Sequence, residues 1–265
     1  MMVEIPDSHP RKKSLLSRQK IVEGSLEGLL ADSAMIAHGR GEAFDYLLGE
    51  RTTESARLAI REAASRLSSA NSPVISVNGN TVLLAGEGAL RLAALLGCPI
   101  EVNLYYRTPE RVSGLLSLLE EQRATVLGEP VPSGFEGDWR ESVKNVPLLG
   151  GSADFRIEGL EGPRSYCTEE GIGRADSILV PLEDGDRCEA LVNLDKEVIV
   201  IDLNPLSRSS RMATVTIVDE VSRAFDGMLA ELISNPDCVP SEWDNANAIS
   251  GSLDDITKFL SEKKG

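Results

Sequence analysis

From Pro73 to Val218 the chain repeats one pattern, a short run of β-branched and aliphatic residues followed by a stretch with helical spacing. That repeat constrains the fold strongly, because alternating strands and helices assemble as a parallel sheet covered by helices. Strands are predicted over Val74 to Val77, Ile100 to Tyr105, Ser177 to Leu182, Val198 to Leu203 and Thr214 to Val218, with a weaker one over Thr125 to Leu127. Helices are predicted from about Gly88 to Leu96, from Thr108-Pro109 to Gln122, from Asp186 to Val192 and from Asp219 to Ile233. In the second of these, Thr108 caps the helix and proline stands in its first turn, where no amide hydrogen is needed.

The flanks differ from this body. Residues 1–70 read as a helical N-terminal segment packed on it: Ala56, Ala59, Ile60, Ala63, Ala64 and Leu67 mark one helix face after the capping candidates Thr52 and Thr53. His38-Gly39-Arg40-Gly41 reads as a polar turn before a short helical run. Residues 71–236 form the α/β domain, with an irregular excursion at about 128–173 where Gly, Pro, Ser and Glu crowd together. Residues 237–265 form a tail with a short helix near Leu253 to Leu260, expected to be peripheral or to face a partner. The fold class is therefore α/β, a Rossmann-like, mostly parallel sheet with flanking helices.

Charge and composition exclude several functions. A net charge of −15 opposes binding to a phosphate backbone or an anionic membrane. No apolar run approaches the roughly eighteen residues of a spanning helix, and Met1-Met2-Val3-Glu4-Ile5-Pro6 lacks a signal-peptide core, so a cytoplasmic protein is expected. Cys98, Cys167, Cys188 and Cys238 form no CxxC pair, and with only His9 and His38 a zinc cage is hard to assemble.

In a sheet of this kind ligands bind beyond the carboxyl ends of the strands, and there the predicted strands run into Asn78-Gly79-Asn80, Glu183-Asp184-Gly185-Asp186-Arg187 and Asp202-Leu203-Asn204-Pro205. The last loop continues into Ser207-Arg208-Ser209-Ser210-Arg211. Carboxylates at these places suit ribose hydroxyls or Mg²⁺, and the guanidiniums of Arg40, Arg187, Arg208 and Arg211 suit phosphate or carboxylate oxygens. Each has a plainer reading. Asp186 and Asp219 could only cap helices, Asn78-Gly79-Asn80 could be an ordinary turn, His38 a hydrogen-bonded structural histidine, and Arg208 and Arg211 partners of surface carboxylates. Two further motifs are discounted. Gly86-Glu87-Gly88-Ala89-Leu90-Arg91 has arginine where a dinucleotide fingerprint needs its third glycine, and reads as a strand-to-helix turn. No GxxxxGK[ST] loop or GxSxG elbow is present.

Four longer blocks carry a resemblance: Ala37 to Leu47, Pro73 to Asn80, Val180 to Arg187 and Asp202 to Arg208, with Ser8-His9-Pro10-Arg11 and Arg18 upstream. In these the chain resembles the archaeal 4-phosphopantoate:β-alanine ligase family, also called phosphopantothenate synthetase. The resemblance implies condensation of (R)-4-phosphopantoate with β-alanine at the expense of ATP, giving 4′-phosphopantothenate, AMP and diphosphate through an acyl-adenylate, in coenzyme A biosynthesis. It implies a Rossmann-type homodimer, with ATP as co-substrate and Mg²⁺ beside it. Carried onto this sequence, it assigns Arg18 and Arg40 to ATP phosphates, Asp184, Gly185, Asp186 and Arg187 to nucleotide and metal, and Asp202, Leu203 and Asn204 to the nucleoside. Asn78, Asn80, Ser207 and Arg208 go to the phosphopantoate or phosphate end, and Arg40, Asp186 and Arg187 are the catalytic candidates; the general base stays unidentified, with His38 open to that role. The metal ligands stay unassigned. Two rival readings remain open at this level, an NAD(P)-dependent oxidoreductase and a non-catalytic nucleotide-sensing module.

Overall fold

The computed structural model describes residues 5–262; residues 1–4, in the stretch read for a leader, and residues 263–265 of the tail lie outside the described residues. Strands β1 (Pro73–Val77), β2 (Ile100–Val102), β3 (Leu148–Leu149), β6 (Ser177–Pro181), β7 (Glu197–Ile201) and β8 (Val215–Ile217) form one parallel sheet in the order β3-β2-β1-β6-β7-β8. A separate antiparallel ribbon joins β4 (Phe155–Arg156) to β5 (Tyr166–Cys167). The fold is the α/β sheet that the alternating pattern predicts.

Alternation along the strands builds two cores. Ile75, Val77, Leu179, Ile199 and Ile201 face one core, which is closed by helices α3 (Glu54–Ser69), α4 (Gly79–Leu96), α5 (Pro109–Gly128) and α9 (Val221–Ser234). Val74, Ile178, Val180, Val198 and Val200 face a smaller core under α7 (Gly185–Val192) and the ribbon. Both faces are thus covered, as a parallel sheet requires. Among the polar residues that interrupt the apolar strands are Ser76 and Glu101, both buried. Glu101 accepts hydrogen bonds from Thr168 N, Thr168 Oγ1 and Ile172 N, each at 2.8 Å, which ties β2 to a π turn at Glu169–Gly173.

Several boundaries move. The predicted strand at Thr125 to Leu127 is the last turn of α5, whose Val126 is buried. β2 ends at Val102, short of the predicted Tyr105. The expected turn at His38 to Gly41 lies inside helix α2 (Ser33–Leu48), and the Gly86-Glu87-Gly88 stretch lies inside α4, just past a break at Ala85 (φ −142°, ψ 21°). Gly86 there leaves room for Gln122, whose Nε2 donates to Val82 O at 2.9 Å; an added Cβ would stand 2.1 Å from Gln122 Oε1. Close packing, and not phosphate binding, accounts for that glycine.

The irregular excursion contributes edge strand β3, helix α6 (Trp139–Lys144) and the ribbon, and buries Trp139, Val143, Ile157 and Ile172. At the N-terminus α1 (Lys12–Leu26) packs on α2 and α4. The tail helix is longer than predicted and is not peripheral: α10 (Asn245–Glu262) packs on α2 and α3, and Asn245 Oδ1 accepts from Thr216 N on edge strand β8 at 2.8 Å. Covering an otherwise free sheet edge removes a template for pairing with another chain.

Candidate active site

The chain leaves β1 for one side of the sheet and returns through β6 on the other, so the strand order reverses between β1 and β6. Loops diverge at such a point and leave a crevice. Asn78, after β1, bridges it: Nδ2 donates to Pro181 O at 3.2 Å and Leu182 O at 3.0 Å, while Oδ1 caps α4 by accepting from Thr81 N at 3.1 Å. Leu182 sits at φ 56°, a left-handed conformation that costs a branched residue energy and that clusters at functional sites.

A cleft of about 440 Å³ opens over this crevice. It is lined by the arginines Arg40, Arg111 and Arg164, by Tyr105 and Tyr106, and by the Asn78-to-Asn80 and Leu182-to-Asp184 loops. Arg40 reaches it from α2 and makes no hydrogen bond or salt bridge among the described residues. Arg111 is held by loop carbonyls, donating to Tyr106 O at 2.7 Å. Arg164 comes from the excursion and pairs with Glu183 and, at 3.2 Å, with Asp184. Burial and the neighbouring Arg187 pull the Arg164 guanidinium down to about 9, with Asp184 opposing, so it remains a cation at neutral pH. Three guanidiniums in one open cleft can serve as a receptor for phosphate or carboxylate groups.

Of the residues expected from sequence, Arg40, Asn78, Asn80 and Asp184 meet in this cleft. Asp184 also caps α7, accepting from Arg187 N at 3.0 Å; Asp186, the other cap candidate, does not. Asp202 lies within electrostatic reach of Arg40, and burial raises its carboxyl above the ordinary value against that charge and its hydrogen bonds. Those bonds come from within the same loop, from Asn204 N at 2.9 Å and Ser207 Oγ at 2.6 Å. Asn204 and Ser207 therefore shape their loop, and Ser207 also caps helix α8 (Arg208–Met212). Leu203 lines a second, smaller chamber next to the cleft.

The remaining candidates stand apart. Arg187 is fully buried, bonded to Glu183 and, at 3.0 Å, to Ser76 Oγ, so it acts on the cleft through Glu183 and through its charge on Arg164. Asp186 and Arg208 pair with each other on the surface, Arg208 also holding Glu189 and lying across Gly185, whose added Cβ would meet Arg208 Cγ at 2.6 Å. Arg18 binds Glu42 at 2.9 Å on the N-terminal helices and is half exposed. Asp219 is no cap: Glu220 caps α9, while Asp219 is buried and shares Arg223 with Asp45. Sequence reasoning missed Arg111, Arg164, Tyr105 and Tyr106, whose positions depend on where the excursion and the loop after β2 return.

Among the described residues no three His, Cys, Asp or Glu side chains gather to hold a metal. Mg²⁺ needs less, since substrate phosphates and one or two carboxylates hold it. Asp184, partly exposed with one oxygen free of the cap, fits that need. Burial pushes the thiols of Cys98, Cys167 and Cys188 up to about 12, so none serves as a thiolate nucleophile.

Fold and cleft together define a class, the doubly wound α/β proteins with a crevice at the switch point. Residues 55–258 match the family model described as phosphopantothenate/pantothenate synthetase, and the chain belongs to that family. Its relatives include proteins named 4-phosphopantoate--beta-alanine ligase. The one from Thermococcus kodakarensis is 43% identical over 98% of this chain and 97% of its own length. That from Methanosarcina mazei is 45% identical over 98% and 96%, and that from Thermococcus onnurineus 48% identical over 86% and 79%. Among the described residues no helix is long and apolar enough to cross a membrane.

Proposed function

We propose that this chain is an ATP-dependent ligase that joins 4-phosphopantoate to β-alanine, forming 4′-phosphopantothenate, AMP and diphosphate on the route to coenzyme A. The convergence of Arg40, Arg111 and Arg164 on one cleft beside Asp184 supports the reading. ATP, the phosphoryl group and the carboxylate of the acid are all anionic, and such a cleft offsets their mutual repulsion. Arg40, Arg111 and Arg164 hold phosphate and carboxylate oxygens, Asn78 and Asn80 orient the acid, and Asp202 to Asn204 frame the nucleoside side. Mg²⁺ supplies further charge neutralisation at the ATP phosphates, with Asp184 as the protein carboxylate that would face it.

A carboxylate is a poor acyl donor because its leaving group would be an oxide. Attack of the acid on the α-phosphate of ATP releases diphosphate and leaves AMP as the group that the amine then displaces. Arg187 contributes from below the cleft by fixing Glu183, and through it Arg164. Residues 71–236 are proposed as the catalytic body, 1–70 as the segment that brings Arg40 to it, and 237–265 as the brace of β8. The homodimer is proposed to form over the exposed apolar side chains Leu16, Val22, Leu26 and Ile36 of the first two helices, and the working compartment to be the cytoplasm.

The test mixes the protein with ATP, Mg²⁺, 4-phosphopantoate and β-alanine and assays AMP and the amide. Pantoate lacking its phosphate is expected to react at least about a hundredfold less well, as expected when charge stabilisation is lost, and Arg164→Gln should remove most of that preference. Equal use of pantoate and phosphopantoate would sink the assignment of the arginines, and no AMP from any of these mixtures would sink the ligase reading.

A further inference from the structure

The chamber beside the cleft measures about 110 Å³, a quarter of the cleft's 440 Å³. Ala37, Asn80 and Leu182 line both, so a bond made at Asn80 is reachable from either side. The linings differ in charge. The cleft carries arginines, whereas the chamber has Glu42, Asp45 and Glu220 and neither lysine nor arginine. These carboxylates are anchored: Glu42 by Arg11 at 2.8 Å and Arg18 at 2.9 Å, Asp45 by Arg223 at 2.5 Å, and Glu220 by the N-terminus of α9. They offer a negative surface that does not collapse onto the incoming group, and Arg11 and Arg18 stand one bond beyond it for a carboxylate.

Two buried acceptors in this chamber lack partners. Asn80, only 8% exposed, donates through Nδ2 to Ala34 O at 3.2 Å, and its Oδ1 receives nothing. His38 Nε2 is buried and likewise unpartnered. Burial holds the imidazole below its ordinary value with Arg18 in support, against Glu42 on the same helix and Glu220 ahead of α9, which leaves the ring neutral at pH 7 and able to accept. Buried polar groups are normally satisfied, so two unpartnered polar atoms on residues that line one acidic chamber call for a ligand that donates.

We propose that the chamber receives the amine co-substrate and that His38 Nε2 takes the proton its nitrogen sheds as the amide forms. The inference rests on the ligase reading above. The nitrogen lone pair makes the C–N bond, the acyl C–O bond to AMP breaks with its electrons leaving on the phosphate oxygen, and one N–H proton passes to His38. Glu42 and Glu220 then face the imidazolium and stabilise it. Asn80 Oδ1 accepts a second N–H and turns the lone pair toward the cleft.

Three assays on the full chain separate this inference from the ligase reading. Phosphopantoate-dependent exchange of labelled diphosphate into ATP reports the first half-reaction without an amine, and its absence in wild type refutes the ligase reading itself. His38→Gln should leave that exchange within about threefold of wild type and cut amide formation from β-alanine by at least about a hundredfold, the usual contribution of a general base. Hydroxylamine, far less basic than β-alanine, should still be acylated by the variant at close to the wild-type rate. Should His38→Gln not fold, His38→Asn is read in the same assays. Amide formation at the wild-type rate overturns the proposal. So does a parallel loss of exchange and amide, which would give the chamber to the nucleotide.

Discussion

Helix α7 anchors two ion-pair clusters built from the same residue types under opposite conditions. In the core, Arg187 and Arg164 share the Glu183 carboxylate, whose side chain is 2% exposed, and Ser76 closes the set. At the surface, Arg208 shares Asp186 and Glu189, which are 70% and 38% exposed. Water screens the second cluster and competes for each of its groups, so its pairs add little. The first has lost its water, and every charge in it depends on the others. The nearly buried cluster is the one that reaches the cleft, through Arg164 and Glu183.

Removing the shared carboxylate tests that difference most severely. Glu183→Gln leaves buried Arg187 without its bonded carboxylate and Arg164 with Asp184 alone, and should cost about 3–5 kcal/mol in a denaturant titration. A loss no larger than that of an ordinary surface change would mean that water reaches the cluster. Arg187→Met is expected to cost less, about 2 kcal/mol, because Glu183 keeps Arg164 and methionine refills the volume while Ser76 loses its donor. Both variants disturb one network, so the double variant should fall short of the sum of the single losses. Additivity would show that the two arginines are held independently.

Much of the scaffold was legible because alternation needs no distant information: Val74 and Ile75 face opposite cores as the period of two requires. The helix through His38-Gly39-Arg40-Gly41 was not. Each glycine costs a helix about 1 kcal/mol locally, and the helix forms through the packing of α2 on α1 and α10, which the local sequence does not disclose. Asn78 and Asp184 were readable because they follow strands, whereas Arg40 was singled out as an arginine beside glycines in a stretch read as a turn. Arg164 was not, because its place in the cleft depends on the ribbon folding back: Asn103 Nδ2 donates to Tyr166 O at 2.9 Å. Asp186 was assigned by adjacency in the chain, which a helix does not respect.

A milder comparison sets Asp202 against Glu42. Glu42 is also buried in part, but hydrogen bonds from Arg18 and Arg11 outweigh desolvation and hold its carboxyl below the ordinary value. At Asp202 desolvation wins and the carboxyl lies above its ordinary 3.8. A raised carboxyl favours folding most below the unfolded value, and that contribution is lost as pH rises through the folded value. Asp202→Asn should therefore gain on wild type in urea midpoints as pH rises above about 4, by a margin that grows until the folded value is passed and then stays level. A difference independent of pH would mean that Arg40 and Ser207 fully compensate the burial.

Asp186→Asn should have the smallest effect. Successive residues of an α-helix are rotated by about 100°, so once Arg187 faces the core, Asp186 beside it must face elsewhere, and it faces Arg208 in solvent. The variant should unfold at the wild-type midpoint, with no salt dependence beyond that of wild type, and should keep its turnover in the AMP assay. Loss of turnover with the midpoint unchanged would carry a specific meaning. Bound nucleotide would then have drawn Asp186 off Arg208, freeing a guanidinium for the cleft, and the surface cluster would be a reserve of binding groups that exposure alone does not disclose.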